Sequence, residues 1–343
     1  MRTLRLDLDG EALVANWRAL DRMSGQASTG AAVKAEGYGL GGRAVTERLR
    51  EAGCNDFFVA HWTEAREILR VTSEAGISVL HGVGENDLDL ASQMPAKPVI
   101  NSLAQARTWI DAGGGLCDLM IDTGMFRLGL APEDIGDPLV RKLKIDICMS
   151  HLASADENSA KNAAQQKAFA AVKDAVPARR YSLANSAGIA LGEDYHFDVT
   201  RPGIAIYGGI IREELRDNIR QVVFPKAAIL QIRDAPKGAT LGYNGIFTAP
   251  HDMRLATISL GYADGYLRGF SNNGQVHMAG RALPVVGRVS MDLTIIDITG
   301  ADDIAEGDWV DVDYDLPGAA AASGLSQYEL LTVLGSRFQR RWS

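Results

Sequence analysis

The chain has 343 residues, 46% of them hydrophobic, which exceeds the usual single core and predicts two domains, or one barrel with an appendage. Its 35 Lys plus Arg against 43 Asp plus Glu give a net charge of -8, without the basic stripe that nucleic acid requires, so any bound anion needs a local site. No run approaches the ~18 apolar residues of a membrane span, the first residues carry no apolar leader, and Cys54, Cys117 and Cys148 lack paired or metal-type spacing, so the expectation is a cytoplasmic chain with buried, reduced thiols.

The first strand-like run is Leu4 to Leu8; it precedes the first helix, so residues 3–8 are able to join a later domain. Short apolar or β-branched runs then alternate with helical segments, giving strands near 29–34, 56–60, 77–81, 97–100, 117–122, 144–150, 180–184 and 197–206. Leu103, Ala106, Trp109 and Ile110 illustrate the helical spacing between them. Eight such units predict an α/β (β/α)8 TIM barrel over residues 1–220; a doubly wound sheet is second, but no G-x-G-x-x-G opens an early helix. Beyond that point the pattern changes to alternation, as in Ala227-Ile229-Leu230-Ile232, Leu255-Ile258-Leu260, Val285-Val286 and Trp309-Val310-Val312. Residues 221–343 therefore read as a smaller, mainly β domain.

Barrel chemistry lies at the carboxyl ends of the strands, and phosphates commonly sit after the seventh and eighth. The strand order puts Lys34 after the first strand, Arg127 after the fifth, His151 after the sixth, Asn185-Ser186-Ala187-Gly188 after the seventh and Arg201-Pro202-Gly203-Ile204 at the eighth. Lys34 leaves the apolar run Ala31-Ala32-Val33 into the turn Glu36-Gly37-Tyr38-Gly39. A desolvated lysine has a lowered pKa and forms Schiff bases with carbonyls, including that of pyridoxal phosphate. Alone, a lysine at a strand end is more often a solvated cap; here Ser186, the amides of Gly203 and Ile204, and the Tyr38 phenol stand ready for a phosphate tail.

The segments AVKAEGYGLG, IDTGMFRLG, SHLASADE, LANSAG, TRPGIAIYGG, LGYNGIFTAP, ISLGYADGYLRG and VGRVSMD follow one another across almost the whole chain, and in that order they resemble the alanine racemases. The resemblance implies a barrel-type pyridoxal 5'-phosphate enzyme working as a head-to-tail homodimer with shared sites, interconverting L- and D-alanine for cell-wall peptidoglycan. By the same resemblance Lys34 holds the cofactor and is one base, and Tyr243 of the partner subunit is the other. Arg201 faces the pyridine nitrogen, with His151 between it and the tyrosine. Arg127 and the Met291 amide hold the substrate carboxylate. Tyr38, Ser186, Gly203, Ile204 and Tyr328 bind phosphate, and Tyr262 and Tyr328 line the mouth of the site. No metal is implied, and the partners are a small amino acid and a second copy of the chain, with neither nucleic acid nor membrane.

Racemisation independently requires two bases on opposite faces of a planar carbon. An amine and a phenol both have reference pKa values near ~10, so each must shift toward neutrality. An arginine, with a reference value above ~12, does not readily give a full proton to the pyridine nitrogen. Some residues depart from the family pattern: Met120 stands where many relatives have a carbamylated lysine that orients the substrate-binding arginine, Leu40 replaces a histidine, and Gly242 and Asn244 flank Tyr243 unusually.

Blander uses are available to several positions. Ser186 could be a helix N-cap, Met291 core filler, and Arg337, Arg340 and Arg341 a solvated face. Other functions also remain open: a serine or broad-specificity racemase, a barrel-type decarboxylase, or a pyridoxal-phosphate carrier. The decarboxylases usually have a cysteine in the second domain, whereas all three here fall in the barrel. The carriers lack the β domain.

Overall fold

The computed structural model describes residues 3–72 and 76–343. These form two compact units, one running from Leu13 to Arg220 and the other combining the residues up to Ala12 with Gln221–Ser343. The chain opens on β1 (Leu4–Leu8), and the barrel strands follow: β2 (Ser28–Thr29), β3 (Ala31–Ala32), β4 (Asp56–Val59), β5 (Gly76–Val79), β6 (Ala96–Ile100), β7 (Leu116–Met120), β8 (Lys144–Met149), β9 (Arg180–Ser182) and β10 (Val199–Thr200).

Among the described residues, β3 to β9 form a parallel sheet in sequence order, and β10 pairs in parallel with β2. β2 and β3 are one strand interrupted at Gly30. Closure comes from Gly30 N donating to Thr200 O (2.9 Å), Ala32 N to Pro202 O (2.8 Å) and Arg201 N to Ala184 O (2.8 Å). The result is an eight-stranded (β/α)8 barrel, with every residue of β4 and β6 buried, as expected for parallel strands covered on both faces.

The last barrel strand is much shorter than its apolar run, 197–206, predicts. Pro202 has no amide to continue the ladder, and at Gly203 the backbone turns to φ -132°, ψ -90° before the single 3₁₀ turn Ile204–Tyr207. That early exit turns the chain onto the rim of the barrel.

The second unit is mainly β, as its alternation predicts. It comprises β1, β11 (Val223–Ala235), β12 (Thr240–Leu241), β13 (Phe247–Thr248), β14 (Met253–Ile258), β15 (Gln275–Met278), β16 (Arg281–Pro284), β17 (Thr294–Asp297), β18 (Trp309–Val312) and β19 (Gln339–Trp342). The 13-residue β11 pairs with β1 and β18 through its first half and with β14 through its second, shifting register between Ile229 and Gln231. β1 lies between β11 and β19, alternating buried and half-buried residues. The predicted strand at Val285-Val286 is displaced: the regular strand is Arg281–Pro284, and Val285 forms an isolated bridge to Ile296. The β12–β13 hairpin rests on an apolar cluster of Ala235, Leu241, Ala249, Met253, Leu255 and Val286.

Candidate active site

Lys34 stands at the carboxyl end of the first barrel strand, where the chain does something the sequence does not announce. Ala35, Glu36, Gly37 and Tyr38 all have positive φ, at 52°, 55°, 61° and 54°. Left-handed backbone costs an L-residue ~1–2 kcal/mol, so three of the four need external support. Gly37 N donates to Val33 O (2.9 Å), Gly39 N to Ala35 O (2.8 Å) and Gly41 N to Glu36 O (2.8 Å). The Glu64 carboxylate, from the helix that follows β4, accepts Ala35 N at 2.7 Å. Burial holds the Lys34 amine below its ordinary range, Arg127 and Arg201 push it the same way, and Glu64 opposes them.

At the end of the neighbouring eighth strand, Arg201 is only 6% exposed. Its guanidinium donates to Ser182 Oγ and, at 2.6 Å, to Ser150 O, with Cζ 5.9 Å from the Phe58 ring. Burial brings Arg201 down to about 10, against the opposing charge of Asp118, so the guanidinium stays charged at neutral pH.

Beside it lies an anion cradle. Ser186 Oγ accepts Gly203 N (2.9 Å) and Ala205 N (3.3 Å), which occupies its two lone pairs and leaves its O–H to donate outward. Tyr38 stacks on Tyr207 at 4.5 Å. A Cβ added at Gly203 would fall 2.3 Å from Tyr38 Oη, so only glycine admits that phenol to the cradle. Ser186 is not the helix cap; Asn185 is, accepting Gly188 N at 2.8 Å, which frees the serine for a ligand.

His151 follows β8 at the same rim. Burial first, then the charges of Arg201, Arg127 and Lys34, push it down to about 3, so the imidazole is neutral at physiological pH. Arg127 itself is exposed, in a loop whose Phe126 has φ 56°. Met120, 7% exposed, gives that loop no polar side-chain partner; Leu130 N donates instead to the Met120 carbonyl at 2.8 Å. Asp122 Oδ1 accepts Gly124 N and Met125 N, both at 2.8 Å. Thr123 shares a 2.8 Å hydroxyl contact with Ser150, and Gln165 ties the two loops together, its Nε2 donating to Thr123 Oγ1 (3.3 Å) and His151 O (2.9 Å) and its Oε1 accepting Ala153 N (2.8 Å).

The structure thus gathers Lys34, Tyr38, Arg127, His151, Ser186, Arg201, Gly203 and Ile204 on the barrel rim. Sequence reasoning missed Glu64, Gln165, Ser150 and Ser182. Glu64 alone left a signal, as the third residue of a helix that starts just past the second strand.

Tyr243, Tyr262, Met291 and Tyr328 belong to the β unit. Tyr243 lies in the turn between β12 and β13 and is 67% exposed, with Asn244 and Gly245 in left-handed backbone. Met291 is 53% exposed, which rules out core filler. It is pinned to the tyrosine turn: Tyr262 N donates to Ser290 O and Ala263 N to Met291 O, both at 3.0 Å. A Cβ on Gly261 would meet Met291 O at 2.3 Å. Arg337 is no merely solvated charge, because it donates to Asp264 (2.6 Å) beside Tyr262 and to Asp292 (2.7 Å) beside Met291. Arg340 likewise holds the carbonyls of Gly335 and Leu334. Tyr328, 40% exposed, sits on the helix Gln327–Thr332.

Among the described residues no group of three His, Cys, Asp or Glu could hold a metal, and no helix is long and apolar enough to cross a membrane. Cys54, Cys117 and Cys148 are buried and free.

A barrel rim with a desolvated amine facing a neutral imidazole, a buried guanidinium and an anion cradle defines an enzyme of the class that binds a carbonyl cofactor with an anionic tail. Family models for the alanine racemase N-terminal and C-terminal domains match residues 8–210 and 222–342. The chain is 40% identical to a catabolic and to a biosynthetic alanine racemase of Agrobacterium fabrum, covering 98% of this chain and 91% of the first relative, 99% and 93% for the second. The crystal structure of alanine racemase from Bartonella henselae with covalently bound pyridoxal phosphate superposes with a TM-score of 0.93, at 34% identity over 99% of each chain. The chain belongs to the alanine racemase family.

Proposed function

We propose that this chain interconverts L- and D-alanine with pyridoxal 5'-phosphate, using Lys34 and the partner subunit's Tyr243 as opposing bases in a homodimer. The reading rests above all on Lys34: its amine is depressed by burial and by two arginines on the rim that carries the Ser186–Gly203 cradle. The residues fit the cofactor. The outward O–H of Ser186 and the Tyr38 phenol admitted by Gly203 suit a phosphate, together with the Ile204 amide and Tyr328. When bound, the cofactor supplies an electron sink that acidifies the α-carbon of an amino acid.

Everything else falls to the chain. Arg127 and the Met291 amide hold the substrate carboxylate, while Tyr262 and Tyr328 narrow the approach. Lys34, its amine held below its ordinary range by burial, accepts or returns a proton on one face of the α-carbon, and the phenol does so on the other. Arg201, which stays charged, would face the ring nitrogen of the cofactor and would keep its own proton there rather than give it up. His151, neutral, can accept a hydrogen bond from that guanidinium or relay one toward the phenol.

Identity does not divide the biosynthetic from the catabolic role, since relatives of both kinds stand at 40%. We assign the chain to D-alanine supply for peptidoglycan, in the cytoplasm, where its three free, buried thiols would stay reduced. A chiral assay over the common amino acids with added cofactor tests the reading: alanine is expected to racemise fastest, ahead of serine. Borohydride is expected to fix the cofactor on Lys34. Labelling of another lysine, or no change of handedness in any amino acid, overturns the proposal.

A further inference from the structure

Glu64 lies outside the roles assigned so far. Its helix, Trp62–Ile68, begins just beyond β4, and capping that helix requires only one carboxylate oxygen: Oε2 accepts Ala60 N at 2.7 Å and His61 N at 3.3 Å. The other oxygen, Oε1, reaches away from the helix to Ala35 N at 2.7 Å. Ala35 follows Lys34 and begins the left-handed stretch that runs through Tyr38 to Gly39. One carboxylate therefore ties the loop after the first barrel strand to the loop after the second, through charge-assisted bonds.

We propose that Glu64 is a positioning residue that clamps the strained turn carrying Lys34 and Tyr38, so that amine and phenol address one bound cofactor. The inference rests on Lys34 being the anchoring amine. Without the carboxylate, Ala35 N loses the 2.7 Å acceptor that steadies the start of this positive-φ run. Glu64 also supplies the negative charge in an otherwise positive field. The charges acting on Lys34 are those of Arg127, Glu64 and Arg201, and the edge-packed rings of His61 and His81, 4.1 Å apart, flank the same carboxylate. His81 is held below its ordinary range by burial, His61 and Lys34, with Glu64 opposing.

The test uses the full-length enzyme carrying Glu64→Gln, with Glu67→Gln on the same helix as control. Pyridoxal 5'-phosphate is titrated into cofactor-free protein by fluorescence, and the pH dependence of Lys34 reductive methylation is read by mass spectrometry. Glu64→Gln is expected to weaken cofactor binding about ten-fold, because its amide group cannot accept the backbone donors that the second oxygen held. The Lys34 labelling midpoint is expected to move to lower pH, because the charge favouring the ammonium form is gone. Glu67→Gln is expected to match wild type in both. Adding Ala35→Gly to Glu64→Gln, which relieves the left-handed strain, is expected to restore part of the affinity, and this double variant carries the test if the single one does not fold. A purely structural role would lower the melting temperature and leave affinity and midpoint unchanged, and that result overturns the clamp. Borohydride labelling of a lysine other than Lys34 in the wild type overturns the anchoring assignment instead.

Discussion

His151 is held neutral by its surroundings: burial, Arg201, Arg127 and Lys34 all disfavour its charged form, placing it at about 3 against an ordinary value of 6.5. Between those two values the unfolded chain binds the proton and the folded one does not, so stability rises with pH across that window and is lost as pH falls from about 6.5 toward 3. His151→Asn is therefore expected to flatten the acid limb of the urea midpoint measured against pH. An acid limb unchanged from wild type would mean that His151 is charged in the native state. The residue types at the site were legible, because an amine after an apolar strand and a Ser-x-Gly after the seventh strand carry their chemistry openly. The left-handed run from Ala35 to Tyr38 was not legible. Only Gly37 hints at positive φ, while the support at Ala35 comes from Glu64, far along the chain. Asn185 rather than Ser186 caps its helix because the serine hydroxyl is taken by the amides of Gly203 and Ala205, partners that local sequence does not reveal.

At the level of elements, the barrel strands could be read from their continuous apolar runs, but the charges inside those strands could not be paired. Lys97 in β6 meets Asp118 of β7 at 3.2 Å and Asp146 of β8 at 2.5 Å, and Arg180 of β9 joins Asp146 (3.0 Å) to Asp56 of β4 (2.7 Å). Asp118 is fully buried; it also accepts from Ser78 Oγ and Ile147 N. Burial alone would lower the Lys97 amine, but Asp118 and Asp146 outweigh it and hold it above its ordinary range. For Asp118 burial wins, and its carboxyl is pushed up despite Lys97. Lys97→Met leaves the buried Asp118 without its cation, while Asp146 keeps Arg180, and is expected to cost about 3–5 kcal/mol in chemical denaturation at neutral pH. Part of the loss is expected to return as pH is lowered and Asp118 takes up a proton. A loss below about 1 kcal/mol, the range of surface pairs, would mean that water reaches the cluster. The spacing of these residues was visible in the sequence, yet partners on neighbouring strands share no local periodicity, and the eighth strand was overread because Pro202 and Gly203 end a ladder that the apolar run alone would extend.

For the whole molecule, two-base chemistry on a flat carbon requires proton carriers on opposite faces, held by different supports. The barrel rim supplies the buried amine, the guanidinium and the anion cradle, while the β unit presents Tyr243 and Met291 outward, 67% and 53% exposed. On the proposed reading, that exposure suits a phenol offered to a second copy of the chain. Lys34→Ala and Tyr243→Phe subunits are each expected to be inactive alone. Mixed in equal amounts and allowed to exchange, half of the dimers become hybrids, and each hybrid has one site with both bases intact and one with neither. Random pairing therefore predicts recovery of about a quarter of the wild-type rate. The recovered activity is expected to fall on dilution below the dimer dissociation constant, since a shared site vanishes with the dimer. Absence of recovery, with subunit exchange demonstrated by mass spectrometry of tagged chains, would place both bases in one chain and require Tyr243 to serve the barrel of its own subunit.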